Sequence, residues 1–323
     1  MQTLLKMLVV SSAALLLGMA QAQAQPFPNR PITLIVPFAA GGATDIAGRL
    51  VATEMGQSLG QSIVVINRAG AAGAIGIDSV AKAAPDGYTM GLSGVGTSVL
   101  LHITGPKPAF TLKDLVFIGN AGNVELMFIT HPKSPYKNLR QLIAAAKAQP
   151  GKLTFAHGGT GSPAHLTMEY LESSAGMDMV PVPYKGDGAL MPDVLGGTVD
   201  VAIVAAASAI PHIKAGKIVP LAVGSAVRSP AMPDVPTVRE QGVAGFESSA
   251  FNMLVVPAGT PDAVAQRLNA ALNEAIKKTE VRDRFADMGM SVGGGTPKET
   301  AEFVERENVK WRKVIQDAKL VVE

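Results

Sequence analysis

Glycine-rich runs with hydroxyl side chains are the parts of this sequence that could bind or transform a small molecule. The run at 37–45 reads PFAAGGATD and the run at 67–76 reads NRAGAAGAIG, each between an apolar stretch and a helical pattern. Glycine lets the backbone approach a ligand closely, and free N–H groups at a helix start attract anions. A third run, GLSGVGT at 91–97, follows another apolar stretch. Each run alone is typical of a tight connection, whereas the three together favour an anion site.

A fourth glycine-rich run, HGGTGS at 157–162, opens a helical pattern in the second part of the chain. Its hydroxyl side chains, Thr160 and Ser162, would face the same cleft. His157 either faces the ligand or is hydrogen-bonded within its own part of the protein, and the sequence leaves both alternatives open. The chain has neither a dinucleotide fingerprint nor a Walker A, G-x-S-x-G or H-E-x-x-H motif.

Two other spacings suggest enzymatic or metal chemistry. His165 and Glu169 stand four residues apart and would offer two metal ligands, but without a third ligand nearby a polar helix face is the better interpretation. Ser162 with a histidine suggests a hydrolase, although no acid partner of known position and no nucleophile elbow accompany them. Asp45 and Arg49 are interpreted as a surface pair on one helix. We therefore expect no catalytic residue, no metal ligand and no cofactor.

The composition limits the class of protein. The 323 residues suggest about two domains, and 47% apolar with 17% charged residues are enough for a sizeable core. The 28 Lys and Arg residues nearly balance the 26 Asp and Glu residues, and aromatic residues make up 5%, so nucleic acid is not expected as a partner. The absence of cysteine excludes disulfides, a cysteine nucleophile and thiolate-bound zinc.

The N-terminal sequence indicates export. Lys6 is the one charged residue among the first 24, an apolar run follows it, and Ala22-Gln23-Ala24 fits a cleavage site. That run, about 13 residues long, is shorter than the roughly 20 residues that a membrane-spanning helix needs. We interpret residues 1–24 as a signal peptide cleaved after Ala24, and we expect the mature protein in a bacterial periplasm.

Strand and helix patterns alternate along the rest of the chain. Apolar stretches predict strands at 32–37, 62–66, 88–92, 153–156, 180–184, 199–204, 219–223 and 250–256. The first three, joined by helices, predict a doubly wound parallel sheet, and the prolines in 180–184 predict an edge strand. Helices are predicted after the first two strands and at 139–148, 162–174, 261–278, 281–288 and 297–318. Two α/β units, roughly 26–122 and 123–230, without a long linker favour a hinged cleft.

Several spaced motifs resemble the Bug family, the extracytoplasmic solute receptors of tripartite tricarboxylate transporters. They begin with P-F-x-x-G-G-x-x-D-x-x-x-R at 37–49, N-R-x-G-A-x-G at 67–73 and P-D-G-Y-T at 85–89. Further matches follow in order at 147–153, 159–166, 182–186, 196–200 and 256–261, and together they cover nearly the whole mature chain. It is the ordered set, rather than any one motif, that is specific.

The resemblance implies an α/β protein of the type II periplasmic-binding-protein fold, with two doubly wound lobes around a hinged cleft. Lobe 1 would comprise residues 25–122 and 231–323, and lobe 2 residues 123–230. The resemblance also implies that the first two glycine-rich turns hold one carboxylate of a di- or tricarboxylate, acidic amino acid or aromatic carboxylate, partly through ordered waters. His157 and Phe251-Asn252-Met253 depart from the family pattern near the expected pocket.

Few cations are expected in that pocket, because Arg68 and Lys185 flank glycine-rich runs and neither lies within one. We therefore expect the backbone dipoles of the turns 38–45 and 70–76 to hold the anion. A Cβ at Gly42 or Gly73 would enter the anion's place or forbid the backbone angles.

These interpretations define a set of candidate ligand-binding residues and a function. The residues are Phe38, Ala39, Ala40, Gly42, Thr44, Asp45, Ala71, Ala72, Gly73, Ala74, Ser93, Gly94, Thr97, His157, Thr160, Ser162, Ala206 and Phe251. The expected function is to capture a small organic carboxylate, as a monomer, and to deliver it to a large and a small integral-membrane transporter subunit. A ligand-sensing subunit for a signalling receptor and an exported α/β hydrolase are the alternatives.

Overall fold

The computed structural model describes residues 27–38, 40–41, 43–103 and 108–317. Its strands are β1 (Ile32–Val36), β2 (Ile63–Asn67), β3 (Thr89–Gly94), β4 (Leu115–Val124), β5 (Leu126–Thr130), β6 (Thr154–His157), β7 (Val180–Pro183), β8 (Val201–Ala205), β9 (Val219–Val223), β10 (Ala250–Pro257) and β11 (Met290–Ser291). Its α-helices are α1 (Ala43–Leu59), α2 (Ala74–Ala81), α3 (Val95–Ser98), α4 (Leu139–Ala148), α5 (Pro163–Ala175), α6 (Asp187–Gly196), α7 (Ala206–Lys214), α8 (Asp262–Ala275), α9 (Thr279–Asp287) and α10 (Pro297–Asp317). The interpreted signal peptide lies outside these described ranges. Within them, no helix combines the length and the apolar character that a membrane crossing requires.

The strands form two separate sheets. Sheet 1 has six strands in the order β11-β4-β10-β3-β1-β2. β1 pairs in parallel with β2 and with β3, which confirms the parallel arrangement predicted for these three strands. The sheet as a whole is mixed, because β10 runs antiparallel between β3 and β4, and β11 runs antiparallel to β4. A late part of the chain therefore supplies a central strand of sheet 1.

Sheet 2 is built from the middle of the chain and has five strands in the order β7-β6-β8-β5-β9. β6 pairs in parallel with β7 and β8, whereas β5 runs antiparallel to β8 and β9. The proline-containing β7 lies at the edge, as predicted, because a proline cannot donate to a neighbouring strand.

Helices cover both faces of each sheet. On β1, Ile32 and Leu34 join the apolar cluster with residues of α1 and α8, whereas Ile35 joins the cluster with residues of α2 and α10. On β5, Phe128 joins the apolar cluster with residues of α4 and α5, whereas Met127 joins the cluster with residues of α6 and α7. Burial on both faces explains why these strands are continuous apolar runs in the sequence.

The chain passes from sheet 1 to sheet 2 at Glu125, the one residue between β4 and β5. The N–H of Glu125 donates to Gly289 O (3.3 Å), and its carbonyl oxygen accepts from Ala206 N (2.8 Å). The chain returns to sheet 1 through the irregular residues 224–249. Both halves of the molecule are therefore bonded to this crossover residue.

Six elements of the structure were not predicted from the sequence, namely β4, β5, β11, α3, α6 and α7. β4 contains Gly119 and Gly122, which are unusual inside a strand. α6 and α7 contain Pro192 and Pro211, residues that usually end a helix. β5 directly follows β4, without the turn residues that would have marked it as a separate strand.

Candidate functional site

A cavity lies between the two halves of the protein, at the carboxyl ends of the parallel strands. Its larger part measures about 850 Å³ and an adjoining part about 380 Å³. The turns that follow β1, β2 and β3 line it on the side of sheet 1, and the segments that follow β6, β7 and β8 line it on the side of sheet 2. The carboxyl ends of strands are where open α/β sheets bind ligands.

The walls of this cavity are mostly apolar. The apolar residues are Phe38, Val95, Leu100, Leu101, Pro108, Val124, Leu126, Pro163, Ala250 and Phe251, together with several alanines and glycines. The polar side chains that line it are those of Thr44, Thr160, Ser162, Asp187 and Asn252. No lysine or arginine is among the described lining residues. A bound anion would therefore rely on hydrogen-bond donors and dipoles at these walls.

The structure brings about half of the predicted site residues to the cavity. Those that line it are Phe38, Thr44, Ala71, Ala72, Ala74, Gly94, Thr160, Ser162 and Phe251. Ala40, Asp45, Gly73, Ser93, Thr97, His157 and Ala206 are not among the lining residues. Ala39 and Gly42 lie outside the described residues. A contact of any of them with a ligand stays a prediction.

The second glycine-rich turn has an unusual backbone. Gly70, Ala71, Ala72 and Gly73 have φ angles of 133°, 46°, 52° and 93°. A left-handed conformation costs a non-glycine residue roughly 1–2 kcal/mol, and such strain persists only where the surroundings enforce it. Gly73 N donates to Gly70 O (2.9 Å) and closes the turn. The two alanines are therefore held with their backbone at the cavity wall.

Gly73 lies behind this wall. A Cβ on Gly73 would stand 2.7 Å from Thr97 Cγ2 and 3.3 Å from Pro37 Cβ. Of the two reasons expected for glycine at this position, the structure supports the constraint on the backbone angles, since φ of Gly73 is 93°, and it adds the close contact with Thr97.

Asp45 organises the first turn. Its Oδ2 accepts hydrogen bonds from Gly41 N (2.9 Å) and Arg49 Nε (3.0 Å), and its Oδ1 accepts from Asn67 Nδ2 (2.8 Å). The same Asn67 Nδ2 donates to Phe38 O (3.0 Å). The hydrogen bond from Arg49 lowers the pKa of Asp45 to about 2. Asp45 is only 3% exposed, so the interpretation as a simple surface pair was wrong: the pair ties the first turn to the end of β2.

The hydroxyls that follow β3 are used within their own turn. Ser93 Oγ lies 2.8 Å from Thr97 Oγ1 and 2.6 Å from Ser98 Oγ, and all three residues are buried. Thr97 Oγ1 also accepts from Gly94 N (3.0 Å). This cluster fixes Gly94, which does line the cavity.

Two stacked imidazoles support the loop that follows β6. The His157 and His165 rings lie 4.2 Å apart, and His157 is 1% exposed. His157 Nδ1 lies within hydrogen-bond distance of Gly159 N (3.2 Å) and O (2.9 Å), and His165 Nδ1 accepts from Gly161 N (3.0 Å). Burial, followed by the nearby His165, lowers the pKa of His157 to about 4. His157 was expected either to face the ligand or to be hydrogen-bonded within its own part of the protein, and the structure shows the hydrogen bonding.

Ser162 and the two metal-ligand candidates have structural roles in α5. Ser162 Oγ accepts from His165 N (3.2 Å) and caps the helix, and His165 Nε2 lies 3.3 Å from Glu169 Oε1. Neither ring nitrogen of His165 is thus directed at Ser162 Oγ. No cluster of three potential metal-binding His, Asp or Glu side chains occurs among the described residues.

Two polar lining residues were not among the predicted site residues. Asn252 on β10 is 4% exposed, and its Nδ2 has no hydrogen-bond partner in the described part of the chain. Asp187 Oδ2 accepts from Ala205 N (2.9 Å) and Ser208 Oγ (3.0 Å), and burial raises the pKa of Asp187. The departure of residues 251–253 from the family pattern was the sequence signal that could have identified Asn252 as a lining residue. An acid directly after the glycine that ends the 182–186 motif was a signal for Asp187.

The chain matches known proteins over most of its length. The sequence profile described as "Tripartite tricarboxylate transporter family receptor" matches residues 47–320. Protein BugT of Bordetella pertussis (strain Tohama I) is 39% identical over 304 residues, which are 92% of this chain and 92% of BugT.

Solved structures share the fold. The R. palustris protein Rpa4515, solved with adipate, is 31% identical with a TM-score of 0.76, over 91% of this chain and 98% of its own. MatC from Rhodopseudomonas palustris, solved with bound malate, is 32% identical with a TM-score of 0.72, over 90% of this chain and 100% of its own. The two-lobed α/β fold of such periplasmic binding proteins is therefore also the fold of this chain.

Replacing Gly73 by alanine tests the constraint on the second turn. We expect Gly73→Ala to lower the free energy of unfolding by about 1–3 kcal/mol, because alanine is strained at positive φ and its Cβ would meet Thr97. Gly96→Ala is the matched control, since Gly96 lines the same cavity and a Cβ there meets nothing within 4 Å. Urea unfolding measures both variants, and a Gly73→Ala protein as stable as wild type would contradict the constraint.

The burial of His157 predicts an acid-sensitive stability. The folded protein holds the pKa of His157 at about 4, below its ordinary 6.5, so between these values the unfolded chain binds more protons. The free energy of unfolding should therefore fall as the pH drops from 6.5 to 4, by up to roughly 3 kcal/mol from this residue. His157→Asn should reduce that slope in urea unfolding at several pH values. An identical slope in the variant would show that His157 does not titrate in this way.

Proposed function

Because the chain belongs to the tripartite tricarboxylate transporter receptor family, we propose that it captures a small organic carboxylate in the periplasm and delivers it to the membrane subunits of such a transporter. The family assignment confirms the resemblance to the Bug receptors, and the family consists of solute-binding receptors rather than enzymes. The relatives solved with adipate and with malate support a carboxylate as the ligand of this chain.

The observation that carries the proposal is the left-handed turn 70–73 at the wall of a cavity that both halves line. Gly73 N and Ala74 N donate within the turn, to Gly70 O and Ala71 O, so the proposal assigns the ligand to the N–H groups of Ala71 and Ala72, which line the cavity. A helix dipole favours a negative charge by about 0.3–1 kcal/mol at exposed sites and by more in partly buried ones. Ordered waters can complete the shell of a carboxylate at little cost in free energy.

A hydrolase is not supported by the geometry. Ser162 Oγ is engaged as the cap of α5, and the nitrogens of His165 face Gly161 N and Glu169. A general base for Ser162 would need a ring nitrogen within hydrogen-bond distance of its hydroxyl. A ligand-sensing receptor subunit would need the same cleft, and only the identity of its membrane partner separates it from a transport receptor.

The proposal includes the organisation of the mature protein. Residues 25–122 with 231–323 would form lobe 1 and residues 123–230 lobe 2, with cleavage after Ala24 and a monomeric receptor. The membership of the two sheets supports this division, since β5 to β9 lie in sheet 2 and the remaining strands in sheet 1. The two crossings, at Glu125 and at 224–249, suit a hinge.

Ligand binding should close the cleft. A thermal-shift screen over carboxylates identifies a ligand, because binding only to the folded state stabilises it by about 2.7 kcal/mol at 100 times the Kd. Small-angle scattering with saturating ligand should then give a smaller radius of gyration than without it, since the ligand bridges both lobes. An unchanged radius at saturation would rule out closure.

Asn252 should contribute to affinity rather than to stability. Its buried Nδ2 has no partner among the described residues, so we expect the ligand or a bridging water to accept from it. Asn252→Leu should weaken ligand binding about tenfold in calorimetry, the loss of one hydrogen bond, without lowering the free energy of unfolding.

Asn308→Leu is the matched control for Asn252. Asn308 is also buried, but its Nδ2 donates to Ser98 O (3.2 Å) and Val304 O (3.0 Å). This variant should lose stability and keep its affinity. If Asn252→Leu instead lost stability and retained full affinity, its amide would have a structural role.

A further inference from the structure

Asp187 is a carboxylate with one oxygen anchored and one oxygen free. It follows the edge strand β7, begins α6 and lines the smaller part of the cavity together with Gly158. Oδ2 accepts from Ala205 N and Ser208 Oγ, whereas Oδ1 accepts no hydrogen bond from the described residues. A Cβ on Gly158 would stand 3.2 Å from Oδ1, so Oδ1 lies beside this lining residue. The free oxygen is thus available to a ligand in the cavity.

The surroundings of Asp187 disfavour a second carboxylate beside it. No described residue that lines the cavity carries a positive charge, so none of these residues would neutralise two acids side by side. Desolvation by burial raises the pKa of Asp187, and the two hydrogen bonds to Oδ2 oppose that rise. Like charges facing each other across a binding interface disfavour the complex, whereas a donor on the ligand would satisfy Oδ1.

The opposite wall has the complementary chemistry. The turn 70–73, which follows β2, and the amide of Asn252 on β10 would offer donors to an acceptor on the ligand. Asp187, in lobe 2, offers an acceptor to a donor on the ligand. The cavity would therefore offer hydrogen-bond donors at one end and an acceptor at the other end, with apolar walls between them.

We propose that Asp187 determines specificity, and that the ligand is a carboxylate whose far end carries a hydroxyl or amino donor for Asp187 Oδ1. This inference rests on the proposed function, because the carboxylate end is placed at the turns of lobe 1. Asp187 would favour hydroxy- or aminocarboxylates with an apolar middle over other carboxylates. It would disfavour diacids of the same length.

Two matched ligand sets test the inference by calorimetry on the mature protein. One set is hexanoate, its terminal hydroxy and amino derivatives, and adipate; the other is benzoate, its para-hydroxy derivative and terephthalate. We expect a donor-bearing member to bind about tenfold or more tightly than the diacid of its set. A diacid that binds as tightly or more tightly would overturn the role of Asp187 and leave the proposed function standing. No binding by any member of either set would contradict the proposed function itself, and the inference with it.

A pair of variants isolates the carboxylate. Asp187→Asn keeps an oxygen that can accept from Ala205 N and Ser208 Oγ, but removes the charge at the cavity. We expect this variant to lose most of the preference for the donor-bearing ligand over the diacid. Asp193→Asn is the control on the same helix, since Asp193 accepts from Tyr184 Oη (2.5 Å) and does not line the cavity; it should keep the preference. An unchanged preference in Asp187→Asn would overturn the inference, and the wild-type ligand sets decide it even if a variant fails to fold.

Discussion

The backbone between β2 and α2 holds four successive residues at positive φ, and much of the surrounding structure serves that conformation. Glycine adopts it freely at both ends of the turn, whereas Ala71 and Ala72 adopt it at a cost of roughly 1–2 kcal/mol each. Pro37 and the methyl group of Thr97 occupy the space beside Gly73, so the turn cannot relax in that direction. The network around Asp45 fixes the neighbouring turn to the end of β2. This strained backbone, at Ala71 and Ala72, forms part of the cavity wall.

Two ionisable side chains close to the glycine-rich loops, Arg49 and His157, are respectively paired with an opposite charge and neutral. The positive charge of Arg49 is already engaged by Asp45, and the buried His157 is held neutral near pH 7 because its pKa is lowered to about 4. The loops of both halves are consequently positioned by neutral or internally paired groups. Among the described lining residues, an anion in the cavity would meet dipoles rather than counter-ions.

The two sheets position the site jointly. The chain crosses at Glu125, whose backbone bonds to residues of both halves, and returns through an irregular segment. The last helix also spans the halves, because Trp311 shares an apolar cluster with Leu166 of α5 and its ring lies 6.2 Å from that of Tyr170. Relatives at 31% and 32% identity keep the same arrangement over nine-tenths of this chain. A cleft whose walls belong to two bodies, joined by two chain crossings and by the last helix, is suited to closure on a ligand.

The sequence by itself determined the local elements and the family. Helix 139–148 was predicted at its observed bounds, and β7 was placed at an edge, because periodicity, capping and proline chemistry act over a few residues. The ordered motifs identified the receptor family. Tertiary structure alone decided what depends on distant segments meeting. The tertiary structure places β10 between β3 and β4, and it stacks His157 on His165 beside the loop that follows β6. It also buries Asp45, which the sequence suggested to be part of a surface pair. It also brought Asn252 and Asp187 to one cavity. Burial and hydrogen-bond partners are properties of the packed molecule, so no spacing within a single segment could reveal them.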